Sequence, residues 1–257
     1  MCLLFFSYKT TPGYRLVVAA NRDEFLARPT ARLGYLDREK TILAGRDLQG
    51  GGTWLGITAG LRFAAITNYR ESAATRPDAP SRGEILMDYL TGEMAAGEYM
   101  QALVMKAPAY NGFNLILGDA RELYYYSNKI SSPRLLSPGF YGLSNHLLDT
   151  PWPKVQRGKE LLRPHMVETD HVDASSLFGF LADSQRPPDH QLPETGVGLA
   201  WERLLGTIFI DGANYGTRSS AVITVTDAGA IEFTEKTLHR QNDRETRSEL
   251  VRLTLND

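Results

Sequence analysis

The chain opens Met1-Cys2-Leu3-Leu4-Phe5-Phe6-Ser7-Tyr8-Lys9-Thr10-Thr11-Pro12-Gly13-Tyr14-Arg15-Leu16-Val17-Val18-Ala19-Ala20-Asn21-Arg22-Asp23-Glu24. The apolar, aromatic run from Cys2 to Tyr8, the turn chemistry of Lys9 to Gly13 and the second strand-like run from Tyr14 to Ala20 predict a β-hairpin. With Tyr8 set opposite Tyr14, counting back pairs Cys2 with Ala20, give or take a residue or two. The polar run Asn21-Arg22-Asp23-Glu24 then lies beside the chain start and its only cysteine.

A thiol near an amino-terminal amine, an arginine and an acid has the parts of a nucleophile with its own base. Methionine is normally trimmed before a small residue, and that would make Cys2 the first residue, with a free α-amine. The amine's reference pKa of about 7.7–8.0 lies close to the thiol's of about 8.5, so near neutral pH the amine accepts the thiol proton almost without penalty. Arg22 would favour the thiolate further. If Met1 stays, that base is lost.

Further along come Ala20-Asn21-Arg22-Asp23-Glu24-Phe25, Gly51-Gly52-Thr53-Trp54-Leu55-Gly56, Thr67-Asn68-Tyr69, Tyr110-Asn111-Gly112-Phe113-Asn114, Tyr141-Gly142-Leu143-Ser144-Asn145 and Tyr215-Gly216-Thr217-Arg218. In that order, over nearly the whole chain, they resemble the NRDE family of the transport-and-Golgi-organisation type. The resemblance implies a fold more firmly than a reaction, since members are linked to secretory-pathway organisation and to haem or lipid handling. A more distant resemblance is to cysteine-type N-terminal nucleophile hydrolases, which also begin Met-Cys. It implies catalytic roles for Cys2, Arg22, Asp23, Asn68, Asn145 and Arg218, with Asn68 and Asn145 as oxyanion donors. Those enzymes carry an arginine just before the first asparagine, where this chain has Ala20 and sets Arg22 on the far side.

Composition limits the alternatives. At 257 residues, 42% hydrophobic and 23% charged, the chain buries a substantial core without disulfides and reads as one domain over 1–257. A net charge of −2 and no Lys/Arg block argue against nucleic acid as a partner. A single cysteine excludes an intramolecular disulfide and a cysteine-based zinc site, so no metal is expected. No apolar stretch of about 18 residues and no secretory leader pattern are found, so a cytoplasmic protein that does not span a membrane is expected.

The remaining segments give a coarse outline. Phe25 to Arg46 reads as a long loop; Gly45 to Thr53 lacks both phosphate-loop and dinucleotide spacing and reads as a turn into a strand. Thr53–Thr58 and Leu61–Thr67 are expected strands. Ser81-Arg82-Gly83-Glu84 resembles a capping box before a helix, and a second helix is expected over Gly97–Lys106 with Tyr99, Leu103 and Met105 packing inward. Strands follow at Phe113–Gly118, Leu123–Tyr126 and Gly139–His146. A helix is expected from Trp152 to Arg163, stopped by Pro164, and another capped by Asp173. Ser184–Val197 reads as a flexible surface loop, and Trp201–Ile210 fits helix or strand equally. Ser219–Thr226 and Ile231–Thr237 form a last hairpin, and a charged tail is anchored by Leu250, Val251 and Leu253.

Strand pairs at both ends with helices between suit α+β, two packed antiparallel sheets with helices outside. Resemblance sharpens this to the four-layer α-β-β-α sandwich of N-terminal nucleophile hydrolases. Two functional classes stand: a Cys2 hydrolase of a linear amide, needing no cofactor, and a non-catalytic carrier of haem or an acyl chain in the same cleft. Either takes a small-molecule or lipid-like ligand. In the second, His146 is a candidate axial ligand, against the plainer reading of a partly exposed histidine beside a turn.

Overall fold

The opening hairpin forms: β1 (Cys2–Thr11) runs antiparallel to β2 (Tyr14–Phe25) in the computed structural model, which describes residues 2–71, 76–241 and 244–255. Its register lies two residues from the simple count. Tyr8 faces Leu16 and Cys2 faces Arg22, while Thr11 faces Tyr14. The turn lies on Pro12 and Gly13, beyond the expected centre at Thr11, and this moves the partner of Cys2 along β2; the interruption of the ladder between Tyr8 and Thr11, where Lys9 takes a φ of 52°, returns one residue of that displacement. Gly13 closes the turn at φ 76°, a left-handed conformation that a side chain would strain.

The chain divides into two compact units, Met1–Ala27 with Pro138–Thr254, and Arg28–Ser137 with Leu255–Asp257. The Arg28–Ser137 unit holds a seven-stranded sheet in chain order: β3 (Thr30–Tyr35), β4 (Ile42–Asp47), β5 (Leu55–Thr58), β6 (Phe63–Asn68), β7 (Phe113–Gly118), β8 (Leu123–Ser127) and β9 (Arg134–Leu135). The loop expected over Phe25 to Arg46 is therefore corrected to two strands. Leu33, Ile42, Leu43 and Ala44 are buried along them, and the charged stretch between is a turn in which Asp37 accepts from the Thr41 and Ile42 amides. An edge strand tolerates the neighbouring Pro29 because only one side of it must pair.

Two helices cover this sheet, α1 (Arg82–Thr91) and α2 (Ala96–Lys106). Ile85, Leu86, Tyr89 and Leu90 from α1 and Met100 and Leu103 from α2 join Ile66, Leu115 and Leu117 of the sheet in one core. Each such side chain contributes roughly 1.5–3 kcal/mol through burial. The expected capping box does not form: Ser81 stands at the cap position without a side-chain cap bond. Met105 is 82% exposed, so the inward face of α2 runs through Ala96, Met100 and Leu103 instead.

The other unit holds a six-stranded sheet whose order is β10 (Gly139–Leu143), β1, β2, β11 (Tyr215–Thr226), β12 (Ile231–Gln241) and β13 (Arg244–Leu255). Its helices are α3 (Pro153–Met166), α4 (Ala174–Leu181) and α5 (Leu199–Leu205). Leu3, Phe5, Val17, Ala19 and Val222 point from alternate sheet positions into a core with Val155, Leu162 and Met166 of α3 and Leu177 and Leu181 of α4. The approach of α3 to β1 is close, since a Cβ on Gly158 would stand 2.0 Å from the Phe5 ring.

Three expectations change here. Helix α3 continues through Pro164 to Met166, whose burial in the core offsets the hydrogen bond that proline cannot donate. The ambiguous Trp201–Ile210 stretch resolves into α5 followed by irregular chain. The charged tail is largely a strand, β13, on which Leu250 is 61% exposed while Leu255 is buried. Asp173 caps α4 as expected, accepting from the Ser175 and Ser176 amides.

Candidate active site

Four neighbouring strands deliver polar groups to one end of the six-stranded sheet. Cys2 begins β1, directly across from Arg22 near the end of β2, and Arg22 in turn pairs with Ser219 on β11. Residues opposed in an antiparallel ladder project to the same face, so thiol, guanidinium and hydroxyl form one row. Cys2 is partly buried and Arg22 only 4% exposed. On the other flank, β10 pairs with β1 up to Leu143 opposite Leu4. Asn145 lies two residues beyond Leu143 and is fully buried, its side-chain oxygen accepting from Ser144 Oγ at 3.2 Å.

Asn21 and Asp23 alternate with Arg22 and so project to the helix-bearing face. Asn21 Nδ2 donates to the carbonyls of Leu181 (2.8 Å) and Ile208 (2.9 Å), and its oxygen accepts from Ser220 Oγ (2.6 Å). That fully hydrogen-bonded amide locks the end of α4 and the chain after α5 onto β2. Asp23, 1% exposed, accepts from Thr217 Oγ1 at 2.7 Å, while its backbone carbonyl accepts from the Tyr215 hydroxyl at 3.0 Å.

Arg218 falls on the irregularity between Thr217 and Ser219, where β11 gains a residue over β2. Its Nη1 donates to the carbonyls of Phe25 (3.0 Å) and Leu26 (2.8 Å), which secures the chain leaving β2. Half-buried His146 sits beside Asn145 with Nδ1 2.9 Å from Thr150 Oγ1, and burial lowers its pKa. Asn68 ends β6 in the other unit, half-buried and paired with Phe113 of β7. Thus one unit gathers Cys2, Arg22, Asp23 and Asn145 at one sheet end, with Arg218 bracing the strand that carries two of them.

Electrostatics at this end are set first by burial. Burial pushes the Cys2 thiol above its ordinary value; the amino-terminal charge and Arg22 act against that shift, whereas Asp23 and Glu24 add to it. Arg22 therefore favours thiolate, as expected, but is outweighed by desolvation. Asp23 is likewise pushed up by burial and by Glu24, and is pulled down by Lys154, the amino-terminal charge and the Thr217 hydrogen bond.

Lys154 escaped the reading of the sequence. It is 3% exposed in the first turn of α3 and also lines a cavity of about 220 Å³ with Arg157, Gln185, Gln191 and Ile208. A signal was present: a cation in the first turn of a helix opposes the macrodipole, so a lysine there calls for a compensating partner.

A model of the Transport and Golgi organisation 2 family matches residues 1–240. The mouse Transport and Golgi organization 2 homolog is 34% identical over 258 residues, spanning 93% of this chain and 93% of its own. The Drosophila melanogaster Transport and Golgi organization protein 2 is 29% identical over 266 residues, spanning 93% and 92%. Among solved structures, the Caenorhabditis elegans N-acylethanolamine-hydrolyzing acid amidase ortholog aligns with a TM-score of 0.52 at 13% identity, over 87% of this chain and 92% of that one. At that identity the likeness is one of fold, the α+β fold of N-terminal nucleophile hydrolases with two antiparallel sheets. By sequence, the chain belongs to the Transport and Golgi organisation 2 family.

Proposed function

We propose that this protein is a cysteine-type N-terminal nucleophile hydrolase that cleaves a linear amide C–N bond once Met1 has been removed. The observation that supports it most is the position of Cys2, at the start of β1, opposite Arg22 and at the same sheet end as Asp23 and Asn145. Burial disfavours the thiolate there, so the reaction needs a base at the sulfur, and the α-amine of a processed Cys2 is bonded to the same residue.

In this reading the α-amine takes the thiol proton and Sγ attacks the amide carbonyl, forming the S–C bond. Asn145 donates to the developing oxyanion. Collapse breaks the C–N bond as the α-ammonium gives its proton to the leaving amine. Water, deprotonated by the amine, then cleaves the thioester, releases the acid and restores the thiol. Asp23 holds the α-ammonium between these steps, and Arg22 and Arg218 keep the strand ends in place.

The test is product formation from N-acyl amides of graded acyl length, followed by mass spectrometry with the Met1-free chain. Cys2→Ala should lower turnover by roughly a thousandfold or more, as expected when a nucleophile is removed. Undiminished hydrolysis by Cys2→Ala would overturn the reading. Saturable acyl-chain or haem binding without any product would favour the carrier alternative.

A further inference from the structure

The cavity of about 220 Å³ beside Lys154 takes no part in the reaction just described. It lies within one unit, between the first turns of α3 and the chain at 185–191 and 206–208. Its walls are tied down: the Ile208 carbonyl accepts from Asn21 Nδ2 at 2.9 Å, and the Phe209 amide donates to the Asp183 carbonyl at 2.8 Å. The volume falls below the roughly 300–1,000 Å³ of pockets that hold drug-sized ligands, so an occupant is small.

The lining decides what kind of small molecule fits. Arg157 donates from Nε (3.0 Å) and from Nη2 (2.5 Å) to the same oxygen, Asp183 Oδ2, while Asp183 Oδ1 accepts from the Gln185 amide at 2.8 Å. The aspartate therefore takes the Nε side of the guanidinium and fixes its plane. Nη1 donates to no group among the described residues, which leaves the outer Nη1/Nη2 edge open. That edge offers two parallel N–H bonds on a group that stays charged, the pattern that matches the paired oxygens of a carboxylate or phosphate. The side-chain amides of Gln156, Gln185 and Gln191 also line the cavity and have no hydrogen-bond partner among the described residues. Lys154, 3% exposed, adds an Nζ that donates in either protonation state. The one carboxylate in the lining is Glu160, which is exposed.

We propose that this cavity is a binding site for a small oxyanion, a phosphate or carboxylate group, held by the open edge of Arg157 and by the amides of Gln185 and Gln191. Asp183 orients the guanidinium for this task, and Glu160 limits the affinity because its charge repels the ligand. The site does not depend on the hydrolase reading, since no bond is made or broken in it.

The experiment is calorimetric titration of the full chain at constant ionic strength with inorganic phosphate and, separately, with malonate as the carboxylate probe. Saturable binding at one site is expected for at least one of them, and the tighter of the two identifies the source. Arg157→Lys keeps a cation but loses the fork, and should weaken that binding about tenfold or more. Glu160→Gln should tighten it severalfold by removing the opposing charge, a gain that damage to the fold would not produce. Should Arg157→Lys fold poorly, Glu160→Gln and Gln191→Leu carry the test, since both positions are exposed and Gln191→Leu should weaken binding severalfold. No saturable binding of either probe, or an affinity that neither Glu160→Gln nor Gln191→Leu moves, overturns the proposal.

Discussion

Two buried polar clusters, one in each unit, are built on opposite terms. Around Asn114 in the seven-stranded sheet every member is neutral: Asn114 Nδ2 donates to Thr67 Oγ1 (3.2 Å), Tyr125 OH donates to Asn114 Oδ1 (3.1 Å), and Ser127 Oγ donates to the Phe113 carbonyl (2.7 Å). At the end of β2, by contrast, the neutral Asn21 node adjoins Arg22, Asp23 and Lys154, all at most 4% exposed, and a partly buried thiol. A hydrogen-bonded amide network is inexpensive to bury, whereas several charges out of water cost more than a well-packed apolar cluster would. The Asn114 cluster thus explains itself as sheet structure, and the β2 cluster calls for chemistry.

The contrast can be broken by removing one amide from each. Asn21→Ala strands two buried carbonyls and a hydroxyl, and should cost about 3 kcal/mol in chemical denaturation while also lowering turnover, since β2 loses its tie to α4. Asn114→Ala should cost about 2 kcal/mol and leave turnover at the parental level. Equal loss of turnover in both variants would erase the distinction between the two clusters.

A smaller effect sharpens it. Asp23 has a raised pKa in the folded chain, so its contribution to stability is complete below the ordinary carboxylate value and is lost as pH rises through the raised one. Asparagine does not titrate and can still accept from Thr217. Melting curves across that range should therefore show Asp23→Asn gaining on the parent as pH increases. A constant or shrinking difference would mean that Asp23 is no more costly to ionise than an exposed carboxylate.

Much of this was readable because strand-forming runs in the chain end in polar clusters. The hairpin, Cys2 beside Arg22 and Asp23, and Asn145 after a strand all follow from alternation and turn chemistry. The two-residue register difference arose because the turn is built on Pro12 and Gly13, not centred on Thr11 between Tyr8 and Tyr14; the left-handed residue Lys9 gives back one residue of that displacement, and no side-chain pattern announces it. The edge strand β3 and its neighbour β4 were hidden by Pro29 and the charged turn from Asp37 to Lys40, and the edge strand β13 by its charged residues, because exposed edges carry polar side chains as loops do. Lys154 was hidden for a different reason. Its burial is set by the packing of α3 on β1, a contact between distant parts of the chain that no local pattern announces.

The most direct measurement is peptide mass spectrometry of Cys2 after brief reaction with an activated acyl ester, comparing chains with and without Met1. The account predicts one hydroxylamine-labile acyl group on Cys2 in the Met1-free chain and none where Met1 is retained. Equal labelling of the two chains, or labelling elsewhere with Cys2 unmodified, would contradict it.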